Sequence, residues 1–229
     1  MICFVVAMEK EANPLLQNKE VEVLSKLRYG NAVVYEAKAF DKPFLLCVSG
    51  VGKCFAAASI SLLAAKYPGL EAIINVGIAG SLEREKAPLL SALIASDFVQ
   101  HDFDTSPFGD EVGQLPGINL VRLPSSKAYN ALSEAAASAL GLPVSYGIIA
   151  SGDQFIADES KAKEIRERFG AVSIDMESAA FAQLAYVNGI PFSTVRVISD
   201  TGKKGEYEKY AVSAAETACK IALNILKNS

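Results

Sequence analysis

Tryptophan is absent and histidine occurs once, as His101, so Ser-His-Asp relays, Cys-His relays and multi-histidine metal sites have little raw material. The four cysteines, Cys3, Cys47, Cys54 and Cys219, are scattered among apolar residues with no C-x-x-C pair. That pattern fits buried reduced thiols rather than a disulfide framework or a zinc site. Basic charge is also scarce: 22 Lys and Arg against 26 Asp and Glu give a net charge of −4, the wrong sign for a surface that neutralises nucleic-acid phosphates. No uncharged apolar run approaches the roughly 18 residues that suggest a membrane span. Met1 runs directly into Ile2-Cys3-Phe4-Val5-Val6-Ala7 without a basic leader. The expectation is a cytoplasmic protein with a small-molecule partner and neither nucleic-acid nor membrane partners. What the chain has in plenty is apolar mass, 51% of 229 residues, which suits a packed core and excludes wholesale disorder. If it is an enzyme, its proton transfers fall to carboxylates.

Short apolar runs alternate with helical patterns along the whole length. Ile2–Ala7, Ala32–Ala39, Phe44–Val48, Ala72–Val76, Leu89–Ala95, Val144–Ala150, Val172–Ile174 and Phe192–Ile198 read as strands, several too continuously apolar for a sheet with one wet face. Helices are expected over Lys53–Lys66, Ser126–Leu140, Glu159–Phe169, Glu177–Asn188 and Tyr207–Leu226. The last carries Ala211, Ala214, Ala215, Ala218, Ile221, Ala222 and Ile225 on one stripe. This alternation predicts an α/β fold, a three-layer α/β/α sandwich around a mixed, largely parallel sheet. Nothing divides the chain, so residues 1–229 are expected to form one domain. Gln100–Pro116 is the one long stretch without periodicity, and such loops are often functional.

In sheets of this kind ligands bind beyond the carboxyl ends of strands. Three acids stand there: Glu11 after the first strand, Glu177 at a helix start in Asp175-Met176-Glu177, and Asp200 closing Arg196-Val197-Ile198-Ser199-Asp200. An acid at a helix N-terminus also complements the helix dipole, which is the commoner reason for finding one. Ser49-Gly50-Val51-Gly52-Lys53-Cys54 mimics the end of a phosphate-binding P-loop, but Cys47 replaces the first glycine and Cys54 the Mg²⁺-holding hydroxyl. A tight turn allowing close backbone approach is what remains. Asn75-Val76-Gly77-Ile78-Ala79-Gly80-Ser81 is read as a second strand-to-turn junction. His101-Asp102-Phe103-Asp104 is short of ligands for a metal and reads as a solvated loop; no metal and no cofactor is expected.

At these residues the chain resembles the bacterial 5′-methylthioadenosine/S-adenosylhomocysteine nucleosidases of the nucleoside phosphorylase/hydrolase superfamily. The resemblance is colinear through Ala7-Met8-Glu9-Lys10-Glu11, Ser49-Gly50-Val51-Gly52-Lys53, Asn75-Val76-Gly77-Ile78-Ala79-Gly80, Phe108-Gly109 with Gly113-Gln114-Leu115-Pro116-Gly117, Ser151-Gly152-Asp153-Gln154-Phe155-Ile156, Asp175-Met176-Glu177 and Arg196 to Asp200. It implies hydrolysis of the bond between adenine and a 5′-thio-substituted ribose. Asp200, with Ser199 beside it, would protonate adenine N7, and Glu11 would activate water. Glu177 would hold the ribose hydroxyls over Met176, with Arg196 near the water and the 2′-hydroxyl. Phe155 would stack on adenine and the backbone of Ile156 would read its edge. Met8, Val51, Phe108, Pro116 and Tyr207 would line the 5′ pocket, with Phe108 and Pro116 lent by a second copy in a homodimer. Ile78 departs from the family's usual serine, which bears on how Glu11 is held. The Gly202-Lys203-Lys204-Gly205 loop is short for the family. The resemblance leaves three other readings: a futalosine or aminofutalosine hydrolase, a purine nucleoside phosphorylase, and a nucleoside-binding protein without turnover. Asn75 and Ile78 stand where a phosphorylase needs an arginine and a hydroxyl, which speaks against phosphate as the nucleophile.

Overall fold

A computed structural model describes residues 1–229. The chain runs through β1 (Ile2–Val6), α1 (Glu9–Leu16), β2 (Val21–Tyr29), β3 (Ala32–Ala39), β4 (Lys42–Val48), α2 (Lys53–Lys66), β5 (Ala72–Ser81) and β6 (Ala92–Gln100). After a 3₁₀ turn at Ser106–Phe108 come β7 (Leu123–Pro124), α3 (Lys127–Ser138), β8 (Val144–Ser151), α4 (Glu159–Phe169), β9 (Ala171–Asp175), α5 (Ser178–Val187), β10 (Phe192–Asp200) and α6 (Glu206–Asn228). All strands belong to one mixed sheet sandwiched between helices. Strand β1 shows why its run is unbroken: Ile2, Phe4 and Val6 point into the core under α1, α3 and α6, while Cys3 and Val5 point into the core under α2 and α5. Side chains alternate across a strand, so a strand covered on both faces is apolar at every position. The small-residue stripe of α6 is buried as its periodicity predicts, from Ala211 through Leu226. None of the helices is long and apolar enough to cross a membrane.

The sheet branches at β5. One edge of β5 pairs in parallel with β10 from Ile73 to Gly80. The other edge is shared: β1 takes Ala72–Asn75 in parallel and β9 takes Gly80 and Ser81 antiparallel. Between those two partners the edge has no strand beside it, and that gap is where the polar residues gather. Further pairings of β9 with β8, β8 with β6 and β6 with β10 bring the path back to β5, so five strands close into a ring.

The sequence reading placed a turn at Asn75–Ser81, but β5 continues through it to Ser81. Gly77 and Gly80 are therefore strand glycines, and their use is steric. A Cβ on Gly77 would lie 2.4 Å from both Glu11 Oε1 and Arg196 Nη1. Three elements were not anticipated: α1, β2 and the two-residue β7. α1 contains Pro14, which breaks a helical reading. β2 is an edge strand whose alternate apolar residues, Val21, Val23, Leu27 and Tyr29, are none of them fully buried. β6 runs five residues beyond the expected end at Ala95, an extension hidden by Ser96, Asp97 and Gln100, which interrupt its apolar pattern.

Candidate active site

Glu11 fills the gap beside β5. Its Oε2 accepts the backbone N–H groups of Ala7 and Met8, each at 3.0 Å, where β1 ends, and its Oε1 accepts that of Ile78 at 3.1 Å. One carboxylate thus replaces the ladder bonds that a strand would have made. Burial raises its pKa above the ordinary carboxylate range, against the pull of the Arg196 charge and the three N–H donors. The departure at Ile78 acquires a simple explanation: its main chain, not its side chain, holds Glu11.

A second buried layer lies behind. Arg196, 1% exposed, sits on β10 and forks onto Asp175 Oδ2 through Nε at 3.0 Å and Nη2 at 2.7 Å. Asp175, at the end of β9, also accepts Ser151 Oγ at 2.5 Å, the N–H groups of Glu177 and Ser178 at the start of α5, and the Ser178 hydroxyl. This network aims Glu177, whose Oε1 accepts Gly52 N–H at 2.8 Å. The Ser49–Cys54 turn therefore delivers a backbone donor to a carboxylate, with Gly50 and Gly52 at φ of 95° and 96°. Burial and the neighbouring Asp175 and Glu11 charges push Glu177 up to about 7, opposed by Arg196 and Gly52 N–H. Asp200 ends β10 at a bulge opposite Gly80. Ser199 Oγ lies 2.9 Å from Asp200 Oδ2, and Gly202 N–H donates to Oδ1 at 3.2 Å.

Glu11, Glu177 and Asp200 open into one cavity of about 130 Å³, together with Asp175, Met8, Val51, Ile78, Phe155, Ile156, Met176, Ser199 and Tyr207. Phe155 is 64% exposed and meets the Tyr207 ring edge-on at 5.7 Å. A larger cleft of about 620 Å³ adjoins it along Gly80, Ile156, Ile174 and Asp200. The site belongs in the smaller cavity, because that is where the buried carboxylates converge. Three expected residues lie elsewhere. Arg196 stands behind the cavity wall, engaged with Asp175. Phe108, 89% exposed, and the exposed Pro116 belong to the long loop and do not line this chain's cavity. Asp175 was the residue missed as a functional group, although it closes its strand just as Asp200 does. His101 is buried with Nε2 unpartnered, and Asp102 is taken by Lys53 at 2.6 Å and by Asp153 N–H.

Carboxylates ringing an apolar cavity suit a reaction that builds positive charge on its substrate. They suit an incoming phosphate poorly. Asn75 is fully buried and donates to Ser178 Oγ at 3.1 Å, so it offers no charge to an anion. The family model described as Phosphorylase superfamily matches residues 1–227. The chain belongs to the phosphorylase superfamily. Within it, the chain is 34% identical over 220 residues to a 5′-methylthioadenosine/S-adenosylhomocysteine nucleosidase of Actinobacillus succinogenes, covering 91% of this chain and 94% of the relative. It is 30% identical over 227 residues to an aminodeoxyfutalosine nucleosidase of Campylobacter jejuni, covering 98% of this chain and 97% of the relative. Among superfamily structures, the Neisseria meningitidis 5′-methylthioadenosine/S-adenosylhomocysteine nucleosidase in complex with methylthio-immucillin-A superposes with a TM-score of 0.91. It is 28% identical, and the match covers all of this chain and 99% of that one.

Proposed function

We propose that this chain hydrolyses the N-glycosidic bond of 5′-methylthioadenosine and S-adenosylhomocysteine, releasing adenine and the 5′-thioribose. The observation that carries the reading is the convergence of Glu11 and Asp200, from different strands' ends, on one cavity floored by Glu177. Glu11 takes a proton from water as the water oxygen bonds to C1′. The C1′–N9 electron pair leaves with the base, and Asp200 supplies the proton to N7. The sugar passes through an oxocarbenium-like state, which the surrounding carboxylates stabilise more than the neutral ground state. A raised Glu11 pKa makes it a stronger base. Glu177 holds the ribose hydroxyls above Met176, Phe155 stacks on the base, the Ile156 backbone reads its edge and Ser199 orients Asp200. Met8, Val51, Ile78 and Tyr207 take the 5′ group. Arg196 acts through Asp175, fixing the end of β9 from which Met176 and Glu177 project.

Two exposed residues support the homodimer: Phe108 and Pro116 complete the 5′ pocket of a second copy. No cofactor is required. The free cysteines fit a cytoplasmic location, since disulfides form in oxidising compartments, and cleavage that leaves sulfur on the sugar suits methionine salvage. Aminodeoxyfutalosine is the second reading, favoured by the Campylobacter jejuni relative's coverage of 98% of this chain. Base release from methylthioadenosine, S-adenosylhomocysteine, aminodeoxyfutalosine, adenosine and inosine, with and without phosphate, tests the proposal. Phosphate-independent release of adenine from the two thio-nucleosides is expected. Strictly phosphate-dependent cleavage would overturn the hydrolase, and binding without any release would leave only a sensor.

A further inference from the structure

The rim of the cavity holds a hydrogen-bonded pair, Lys10 and Tyr207, whose lysine has no part in the hydrolysis. Lys10 stands at the second residue of α1, where the helix dipole disfavours a cation. It forms none of the chain's ion pairs. Instead its Nζ donates to Tyr207 Oη at 2.6 Å and lies 4.7 Å from the centre of the Tyr207 ring. Of the two acids flanking Tyr207 in sequence, Glu206 is occupied by the Thr201 N–H and hydroxyl, and Glu208 forms no ion pair with Lys10. Tyr207 lines the cavity, so the pair marks its mouth.

The donor and acceptor inventory decides what that mouth wants. An ammonium has three donors and no acceptor, and one donor is spent on Tyr207. The phenol oxygen accepts from Lys10 and keeps its own O–H free to donate. The rim therefore offers donors beside the Lys10 charge, and the complement is an acceptor-only anion with two oxygens. A cavity of about 130 Å³ cannot enclose a long 5′ chain. Such a chain leaves past half-exposed Val51 toward Tyr207.

We propose that Lys10 and Tyr207 form a subsite for a carboxylate at the end of the 5′ substituent, favouring a 5′-thio-nucleoside whose long chain ends in a carboxylate over the counterpart that lacks it. The inference rests on the nucleosidase reading for its substrate pose. The matched probes are S-adenosylhomocysteine and 5′-(3-aminopropylthio)adenosine, which keeps the thioether and amine but lacks the carboxylate. The expected kcat/KM ratio between them is at least about 10-fold in favour of the acid, the worth of a charge-assisted hydrogen bond. Lys10→Met should collapse that ratio to within about 3-fold through KM, Lys10→Arg should keep most of it, and added salt should erode it in the wild type. The same ratio read as Kd in the Glu11→Gln background separates the two ideas. If the wild type releases no base but the Kd ratio in the Glu11→Gln background depends on Lys10, the hydrolase fails and the subsite stands. A ratio indifferent to Lys10→Met in both measurements overturns the subsite.

Discussion

The floor and the rim of the cavity are built on opposite plans. On the floor, Glu11, Asp175, Glu177 and Arg196 are buried; the three acids accept backbone N–H groups from the end of β1, β5, the turn before α2 and the start of α5, and Arg196 donates to Asp175. On the rim, Phe155, Val51, Tyr207 and Lys10 are wholly or partly exposed and touch one another more than the sheet. Chemistry that must position charge within fractions of an ångström sits on rigid elements, and choice of substituent sits on residues that can be exchanged without disturbing them.

That division can be broken most severely at the floor. Asp200→Asn and Glu11→Gln should each lower kcat at least about 100-fold, the lower end of what a positioned proton transfer contributes. Steady-state adenine release by the purified, folded variants measures this, and wild-type turnover would remove the two residues from the mechanism. Gly77→Ala touches no substrate yet should cost on the order of 100-fold, because its methyl group would displace Glu11 and Arg196 together. A normal rate in that variant would mean the floor yields as readily as the rim. Glu177 provides the mildest test. Its pKa of about 7 means the folded protein binds this proton more tightly than the unfolded chain does. Stability from the group is thus present at low pH and lost as pH rises from the ordinary carboxylate range through about 7. Glu177→Gln should remove that loss. Chemical denaturation from pH 5 to 8 should show a flatter profile than the wild type, with the gap widening toward pH 8.

Much of the floor was legible in the sequence because its acids close apolar strands, a position with few structural uses. Asp175 satisfied the same test but was read as part of a motif, since nothing local announces that a distant Arg196 will be its partner. Gly77 and Gly80 suggested a turn because glycine is rare inside strands. Only the approach of two side chains from α1 and β10, a long-range contact, explains them. The edge strand β2 does alternate, with Val21, Val23, Leu27 and Tyr29 in period two, but Ser25 interrupts the run and the sequence reading passed over it, and Pro14 masks α1. Phe108 and Pro116 were assigned to the pocket, yet both are exposed away from this chain's cavity, while their neighbours Phe103, Val112 and Leu115 turn into the core.

The closed ring of five strands leaves the sheet with a lopsided topology. Strands β5 and β10, which carry the glycines and Asp200, each have strand neighbours on both sides, and the one open stretch of β5, between Asn75 and Gly80, is filled by Glu11. The path ends instead at β2, whose outer edge is guarded by Glu22, Lys26 and Arg28 and twisted by a bulge between Val23 and Ser25. Any strand added by duplication, fusion or misassembly can attach only there, with β3, β4 and β1 between it and β5. The fold can therefore grow on one side while its reactive centre stays out of reach.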